Sequence, residues 1–150
     1  MTDVVDKNTR SRMMSGIRGK NTRPEIVVRK GLHQLGFRYS LHNKNLPGKP
    51  DLVFSKYKAV IFVHGCFWHA HNCHLFKWPS TRQEFWRNKI QGNQLRDEKQ
   101  LLTLSGQGWK VLTIWECALK GKNKRNLNEV INTAANWLRF DSQNAELSGK

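Results

Sequence analysis

The chain has 150 residues, the length of one ordinary domain, and its 26 Lys and Arg against 11 Asp and Glu give a formal net charge of +15. This charge is unusual for an enzyme of small neutral substrates and favours a polyanionic partner, although a ribosomal or merely solvated basic protein has a similar composition. No apolar run approaches the roughly 20 residues of a membrane span and the first residues do not resemble a signal sequence, so we expect a cytoplasmic protein without membrane contact. The three cysteines are an odd number for a reducing compartment, which favours metal ligation or burial over disulfides.

The first 36 residues contain two predicted elements. Residues 1–21 carry five Lys and Arg around a few apolar side chains, and we predict a basic arm that grips a phosphate backbone. Residues 22–25 (TRPE) have capping-box spacing with Pro in the first turn, and Gly36 is a stop signal. The pattern predicts a helix over 22–35.

Three short runs rich in β-forming residues follow, at 37–41, 52–54 and 59–63, and turns with Pro, Gly and Lys separate them. They predict an antiparallel meander. Residues 64–80 then break all periodicity with His, Gly, Cys and aromatic residues, which indicates a structured loop.

The second half predicts two helices around one strand. Residues 81–84 (TRQE) repeat the capping-box spacing and open a predicted helix to about residue 104. A strongly apolar strand over 109–115 and a helix over 126–140 follow. We expect a single α/β domain over 22–140, with a central mixed sheet flanked by helices, and a polar, disordered tail over 141–150. In the helix predicted from residue 81 to about residue 104, the apolar residues at helical intervals are Phe85, Ile90, Leu95 and Leu102.

Asp51 is the only acidic residue between Glu25 and Glu84, a stretch that contains nine Lys or Arg. In a basic groove that receives phosphate, a carboxylate repels the substrate unless a divalent cation bridges the two, as in a metal-dependent nuclease. Its place before the predicted strand 52–54 would present a ligand rigidly. The alternative is that Asp51 caps the turn formed by residues 47–50.

The three cysteines can meet if the strand 109–115 delivers Cys117 beside the loop that carries Cys66 and Cys73. Zinc takes four nitrogen or sulfur ligands in a tetrahedron, and a site of three cysteines and one histidine would be structural. Spacing does not decide which histidine completes the set, and three unrelated buried cysteines are the alternative. The competing histidines are His64, His69, His71 and His74.

Two adjacent aromatic residues, Phe67 and Trp68, cannot both face inward on an extended segment. An aromatic wedge between base pairs unstacks them at a cost of a few kcal/mol, which is lower where pairing is faulty. Met14 on the basic arm is a second wedge candidate. Packing in the core is the alternative for all three side chains.

Histidines of the loop are candidate general bases. If zinc takes His71, a neutral His69 held by the loop could accept the proton of an attacking water near pH 7, and His64 is the other candidate. Glu25 could orient a metal-bound water or His69, whereas its place in the capping box explains it without catalysis.

Three segments resemble the very-short-patch-repair (Vsr) T:G mismatch endonuclease family, namely LPGKPDLVF, IFVHGCFWHAHNCHLFKWPSTRQEFW and GWKVLTIWEC. The resemblance implies a variant of the restriction-endonuclease fold that nicks one DNA strand 5′ to the T of a T:G mismatch left by deamination of 5-methylcytosine. It also implies a monomer that acts on double-stranded DNA, with mismatch-repair and polymerase partners downstream.

Carried over by position, the resemblance makes Asp51 a magnesium ligand together with the main-chain carbonyl of Val63. It makes His69 the general base, places His64 near the scissile phosphate and gives Glu25 a supporting role. It assigns zinc to Cys66, His71, Cys73 and Cys117, and insertion beside the mismatch to Phe67, Trp68 and Met14.

The sequence departs from the family pattern at a few positions. Val63 stands where a threonine is common, and Ala70 and Asn72 stand where some relatives have histidine. The acid-x-Lys motif usual on the second catalytic strand of the restriction-endonuclease superfamily is replaced by residues 62–64 (FVH). Two rival hypotheses are a nuclease built on the histidine cluster alone and a zinc-stabilised DNA-binding protein without catalysis.

Overall fold

The computed structural model describes residues 22–150, so the predicted arm over 1–21, with Met14, lies outside the described residues. The first described helix, α1, spans Arg23–Gln34. Thr22 is its N-cap, with the Thr22 Oγ1 accepting the Glu25 N–H at 3.4 Å. The chain turns away at Gly36, whose φ of +95° is a conformation that glycine adopts without strain. The predicted helix is confirmed within a residue at each end.

A five-stranded sheet forms the centre of the described part of the chain. The strands follow one another in space in chain order, with antiparallel pairing between the first three and parallel pairing between the last three. The predicted meander and the mixed α/β sheet are therefore confirmed. The strands are β1 (Ser40–Leu41), β2 (Leu52–Phe54), β3 (Ala59–His64), β4 (Lys110–Trp115) and β5 (Ala145–Leu147).

Both parallel connections are helical crossovers, as parallel pairing requires. The helix α2 (Gln83–Gly106) joins β3 to β4, and α3 (Leu127–Phe140) joins β4 to β5. Side chains alternate across the strands, so Leu52 and Phe54 of β2 enter the core beside α1 and α3, whereas Val53 packs with Leu104 of α2 on the other face. The helices thus cover both faces of the sheet.

The helix α2 differs from the prediction at its start and on its buried face. It begins at Gln83 rather than Thr81, and its N-cap is Arg82, which has φ +50° and no side-chain capping bond. Of the four apolar residues predicted to lie on its buried face, only Ile90 is buried. The other three, Phe85, Leu95 and Leu102, are 44%, 67% and 74% exposed. The sheet is shorter than this helix of 24 residues, so α2 buries little besides Ile90 and Leu104.

The tail over 141–150 was expected to be disordered, and this prediction was wrong. Residues 145–147 form β5, in which Leu147 is buried and pairs with Ile114 of β4. The Asn144 side chain adds a bond at 2.9 Å, accepted by its Oδ1 from the backbone N–H of Val111. A strand of three residues has almost no periodicity of its own, and pairing with an existing sheet edge stabilises it.

Within the described residues, no helix combines the length and the apolar character needed to cross a membrane.

Candidate active site

Asp51 is buried at the start of β2, with only 8% of its surface exposed. Its Oδ2 accepts the backbone N–H of Val63 at 2.7 Å, near the end of β3. The carboxylate is therefore fixed by a neighbouring strand rather than by the turn that precedes it. Two strands of a packed sheet hold this oxygen, as a rigid ligand position requires.

Two further side chains, Glu25 and His42, meet Asp51. Glu25 projects from the first turn of α1, is 1% exposed, and lies 2.8 Å from the Arg29 guanidinium. The His42 Nε2 lies 2.9 Å and 3.0 Å from the two carboxylate oxygens of Glu25. One potential ligand atom from each of Glu25, His42 and Asp51 lies within 4.8 Å of the others. The Glu25 carboxylate thus points to this site and not to His69.

The electrostatics of this group favour a cation. Burial raises the pKa of Asp51 to about 7; the Val63 N–H bond opposes this rise and the Glu25 carboxylate adds to it. Two buried carboxylates and an imidazole are donors that a divalent metal accepts. A bound cation would remove the repulsion between the carboxylates, so these residues fit the metal that the family resemblance implies.

Without magnesium, Asp51→Asn should raise the thermal midpoint at pH 8 by at least about 5 °C and change it little at pH 4. The folded protein keeps the Asp51 proton up to about pH 7, whereas the unfolded chain releases it near pH 3.8. Ionisation therefore lowers the free energy of unfolding as pH rises between these values, and asparagine removes this loss. Thermal melts followed by circular dichroism at both pH values measure this shift of the midpoint. An equal shift at pH 4 and pH 8 would contradict the electrostatic account.

A second group contains His64, His69 and Asp97. The rings of His64 and His69 are stacked, with centroids 3.8 Å apart and an angle of 4° between their planes. The His69 Nδ1 lies 2.5 Å from the Asp97 Oδ2 on α2. Burial lowers the pKa of His64 to about 3; nearby His69 lowers it further and Asp97 opposes the shift, so His64 is neutral. With Nδ1 bonded to Asp97, the Nε2 of His69 is the ring atom left to accept a proton.

The cysteine and histidine ligands predicted for zinc come together. The strands β3 and β4 are parallel and end side by side at the pair His64 and Trp115. Cys66 and Cys117, two residues further along each chain segment, therefore lie at the same end of the sheet. The His71 Nδ1 lies 3.6 Å from the Cys66 Sγ and 3.5 Å from the Cys117 Sγ. Tetrahedral zinc with ordinary bond lengths places such nitrogen and sulfur atoms about 3.6 Å apart. With Cys73, the group consists of four residues, Cys66, His71, Cys73 and Cys117.

The surroundings of the group suit metal ligation. Burial and the neighbouring cysteine sulfurs raise the pKa of the Cys66 thiol, an unfavourable setting for a thiolate without a cation. Burial lowers the pKa of His71, which favours the neutral ring that metal ligation requires, and the ring stacks on Trp115 at 4.2 Å. The Gly149 N–H donates to the Cys117 Sγ at 3.3 Å. The C-terminal tail thus closes one side of the group.

Phe67 and Trp68 lie outside the sheet core, half-buried in a cluster of aromatic side chains. Trp86 of α2 packs against both, with ring centroids 5.5 Å from Phe67 and 5.9 Å from Trp68. An amide N–H of Asn93 donates to the Trp68 carbonyl at 2.9 Å. Phe85, at the start of α2, is 44% exposed and lies beneath the Arg82 guanidinium. The result is an apolar surface beside the histidine pair.

Comparison with known proteins places the chain in a family. The sequence profile described as DNA mismatch endonuclease Vsr matches residues 2–75. The DNA mismatch endonuclease Vsr of Escherichia coli is 41% identical over 147 residues, which cover 98% of this chain and 94% of that protein. The chain belongs to the DNA mismatch endonuclease Vsr family.

Other relatives are described as type II nicking enzymes. V.XorIIP of Xanthomonas oryzae pv. oryzae is 45% identical over 119 residues, covering 79% of this chain and 88% of that enzyme. V.NmeAIP of Neisseria meningitidis is 44% identical over 133 residues, covering 87% of this chain and 95% of that enzyme. The names of these relatives support endonuclease activity for this Vsr family member.

Three residues that contact the predicted site residues of this Vsr family member were not predicted from the sequence: His42, Trp86 and Asp97. His42 and Asp97 are single polar residues that reach the site only through the tertiary fold, and no local spacing marks them. Trp86 had a local signal, because it lies in the aromatic pair Phe85–Trp86. Only Phe85 of this pair was used in the prediction, as one of the apolar residues at helical intervals.

Proposed function

We propose that this protein nicks one strand of duplex DNA 5′ to the T of a T:G mismatch left by deamination of 5-methylcytosine, and so initiates very short patch repair. The observation that carries the proposal is the buried Asp51 carboxylate, fixed on β3 at Val63 and crowded by Glu25, in a chain of a DNA mismatch endonuclease family. The mixed sheet with helices on both faces is compatible with a variant of the restriction-endonuclease fold.

Asp51 and the main-chain carbonyl of Val63 would hold magnesium, with Glu25 in support. Magnesium bound there would act as a Lewis acid on the scissile phosphate and stabilise the departing 3′ oxygen. Asp51 would fix the position of this charge, because its oxygen is held by the Val63 N–H. A phosphate held there would be oriented for attack in line with the leaving oxygen.

His69 is the general base of the proposal. Its Nδ1 hydrogen bond to Asp97 fixes the tautomer and leaves Nε2 to take a proton from the attacking water. Neutral His64, stacked on its face, avoids charge repulsion when His69 becomes an imidazolium. Asp97 then stabilises that positive charge.

Changes to the histidine and its partner should slow nicking without weakening DNA binding. His69→Ala should lower the single-turnover rate by about 10²- to 10⁴-fold, the usual contribution of a general base. Asp97→Asn should lower it less, by about 10- to 100-fold, because the base remains but its orientation is lost. The neighbouring exposed carboxylate supplies the control, Glu98→Gln, which should keep the wild-type rate. If Asp97→Asn is as fast as the control, the pairing has no role in catalysis.

Zinc is proposed to be structural, bound by Cys66, His71, Cys73 and Cys117. Its purpose would be to fix the loop 65–82, which has no regular secondary structure apart from turns. The loop carries both His69 and the aromatic pair, so one metal would position the base and the wedge together.

Phe67 and Trp68 are proposed to enter the base stack beside the mismatch, together with Met14 of the arm. The contacts of Trp86 with both rings favour its participation in the same surface. Faulty pairing lowers the cost of unstacking, so an apolar wedge distinguishes a mismatch from a paired step. The net charge of +15 provides affinity for the phosphate backbone.

The remaining parts of the proposal concern the setting of the reaction. We expect the protein to act as a monomer in the cytoplasm, with mismatch-repair and polymerase partners after the nick. Residues 1–21 are proposed to contact the DNA as a basic arm.

A panel of duplexes tests the proposed function. Each duplex is labelled on both strands and carries T:G, T:A, C:G or T:C at one position, and the protein is added with magnesium. We expect one nick, 5′ to the T of the T:G duplex, and little product from the others. Salt-sensitive binding without cleavage under any metal condition would instead support a DNA-binding protein without catalysis.

A further inference from the structure

His42 occupies a position at the Asp51 site that the proposed reaction does not use. It follows β1 and has φ +48°, a left-handed conformation that is uncommon outside glycine. Its backbone N–H donates to the Asp51 carbonyl at 3.1 Å, so the β1–β2 pairing places it opposite Asp51. The backbone thus directs this imidazole to the carboxylates.

The distances between the three ligand atoms are close to those around one bound ion. Adjacent ligands of an octahedral cation with bonds of about 2.1 Å are about 3 Å apart, and opposite ligands are about 4.2 Å apart. The His42 Nε2 lies 2.9 Å and 3.0 Å from the Glu25 oxygens, and the ligand atoms of Glu25, His42 and Asp51 lie within 4.8 Å of one another. All three can therefore face a single ion after small adjustments.

We propose that His42 is a nitrogen ligand of the divalent cation at Asp51 and Glu25, and that it adapts the site to manganese. The inference rests on the proposed function, because it takes the cation of the Asp51 site as the catalytic one. Magnesium prefers oxygen ligands and retains its waters, whereas first-row transition ions accept imidazole. Two carboxylates with one imidazole form a mixed oxygen and nitrogen set that favours Mn²⁺ over Mg²⁺.

Binding moves one proton on the imidazole. Because an ionised Glu25 carboxylate can only accept, the His42 Nε2 that lies 2.9 Å from it would carry the ring proton in the cation-free protein. With the cation bound, Nε2 would be the ligand and the ring proton would sit on Nδ1. The hydrogen bond in the structure is thus compatible with ligation, and it pre-orients the ring.

The test is pulsed electron paramagnetic resonance of Mn²⁺ bound to the full-length, zinc-loaded protein, with affinities from calorimetry. Wild type should show coupling to a histidine nitrogen and bind Mn²⁺ at least about tenfold more tightly than Mg²⁺. His42→Gln keeps a donor for Glu25, yet should lose the coupling and weaken Mn²⁺ about tenfold, with Mg²⁺ nearly unchanged. The exposed histidine of α1 gives the control, His33→Gln, which should behave as wild type.

The inference is overturned if wild-type protein binds Mn²⁺ without nitrogen coupling, or if the coupling survives in His42→Gln. Coupling lost instead in His69→Gln would place the ion at the histidine pair, which also overturns it. Failure of the proposed function has a different signature, because wild-type protein would then leave the T:G duplex uncut in both Mg²⁺ and Mn²⁺, whatever the nitrogen coupling shows.

Discussion

Asp51→Asn should abolish nicking of a T:G duplex in magnesium, with a loss of at least about 10³-fold in the single-turnover rate, and leave DNA affinity nearly unchanged. A metal ion contributes several kcal/mol of charge stabilisation to the transition state, and each tenfold in rate corresponds to about 1.4 kcal/mol. Asparagine has nearly the shape of aspartate and can still accept the Val63 N–H, so the strands around it should stay in place. Only the charge that holds the cation is removed.

Single-turnover nicking and fluorescence anisotropy on the same duplex separate the rate from the affinity. The same substitution at an exposed carboxylate, Asp141→Asn, is the matched control and should nick at the wild-type rate. Full nicking by Asp51→Asn would contradict the metal assignment and would revive the hypothesis of a nuclease built on the histidine cluster alone.

Loss of the zinc group should have the largest effect on stability. Structural zinc sites contribute about 10 kcal/mol or more to the folding of small metal-dependent peptides. In a chain with a separate sheet core the loss is smaller, and we expect Cys117→Ser to lower the thermal midpoint by more than about 10 °C. Nicking should be lost as well, because the loop 65–82 carries the base and the wedge.

Two histidines of the loop supply a matched pair for this test. His71→Asn should lose zinc and destabilise the protein, since the His71 Nδ1 faces the cysteine sulfurs. His74→Asn changes an exposed histidine outside the group and should retain one zinc per chain. Zinc content by mass spectrometry and melts by circular dichroism are the measurements. Wild-type protein with no zinc, or equal effects of the two variants, would contradict the structural role.

Features that depend on local sequence were predicted well. The Thr22 cap, the Pro in the first turn and Gly36 define α1 because each acts on backbone groups of its own neighbourhood. The meeting of the three cysteines was predictable because Cys66 and Cys73 share one loop, and Cys117 needed only the position of one strand. The choice of His71 came from the resemblance, not from spacing.

Features that depend on tertiary contacts were not predicted. Asp97 is one polar residue on a largely exposed helix, and it meets His69 only because α2 crosses beside the loop after β3. His42 reaches Glu25 through strand pairing that its own residue type does not signal. The strand β5 forms because β4 offers a free edge. At residue 81 a capping sequence was present, but the backbone continued as a turn and α2 began after Arg82.

The most direct test of the account compares wild type and Asp51→Asn on T:G and T:A duplexes at DNA-saturating protein concentrations with magnesium. We predict that both proteins bind both duplexes, and that wild type on T:G alone gives a nick, located 5′ to the T of one strand. Comparable nicking of the T:A duplex by wild type, or of the T:G duplex by Asp51→Asn, would contradict it.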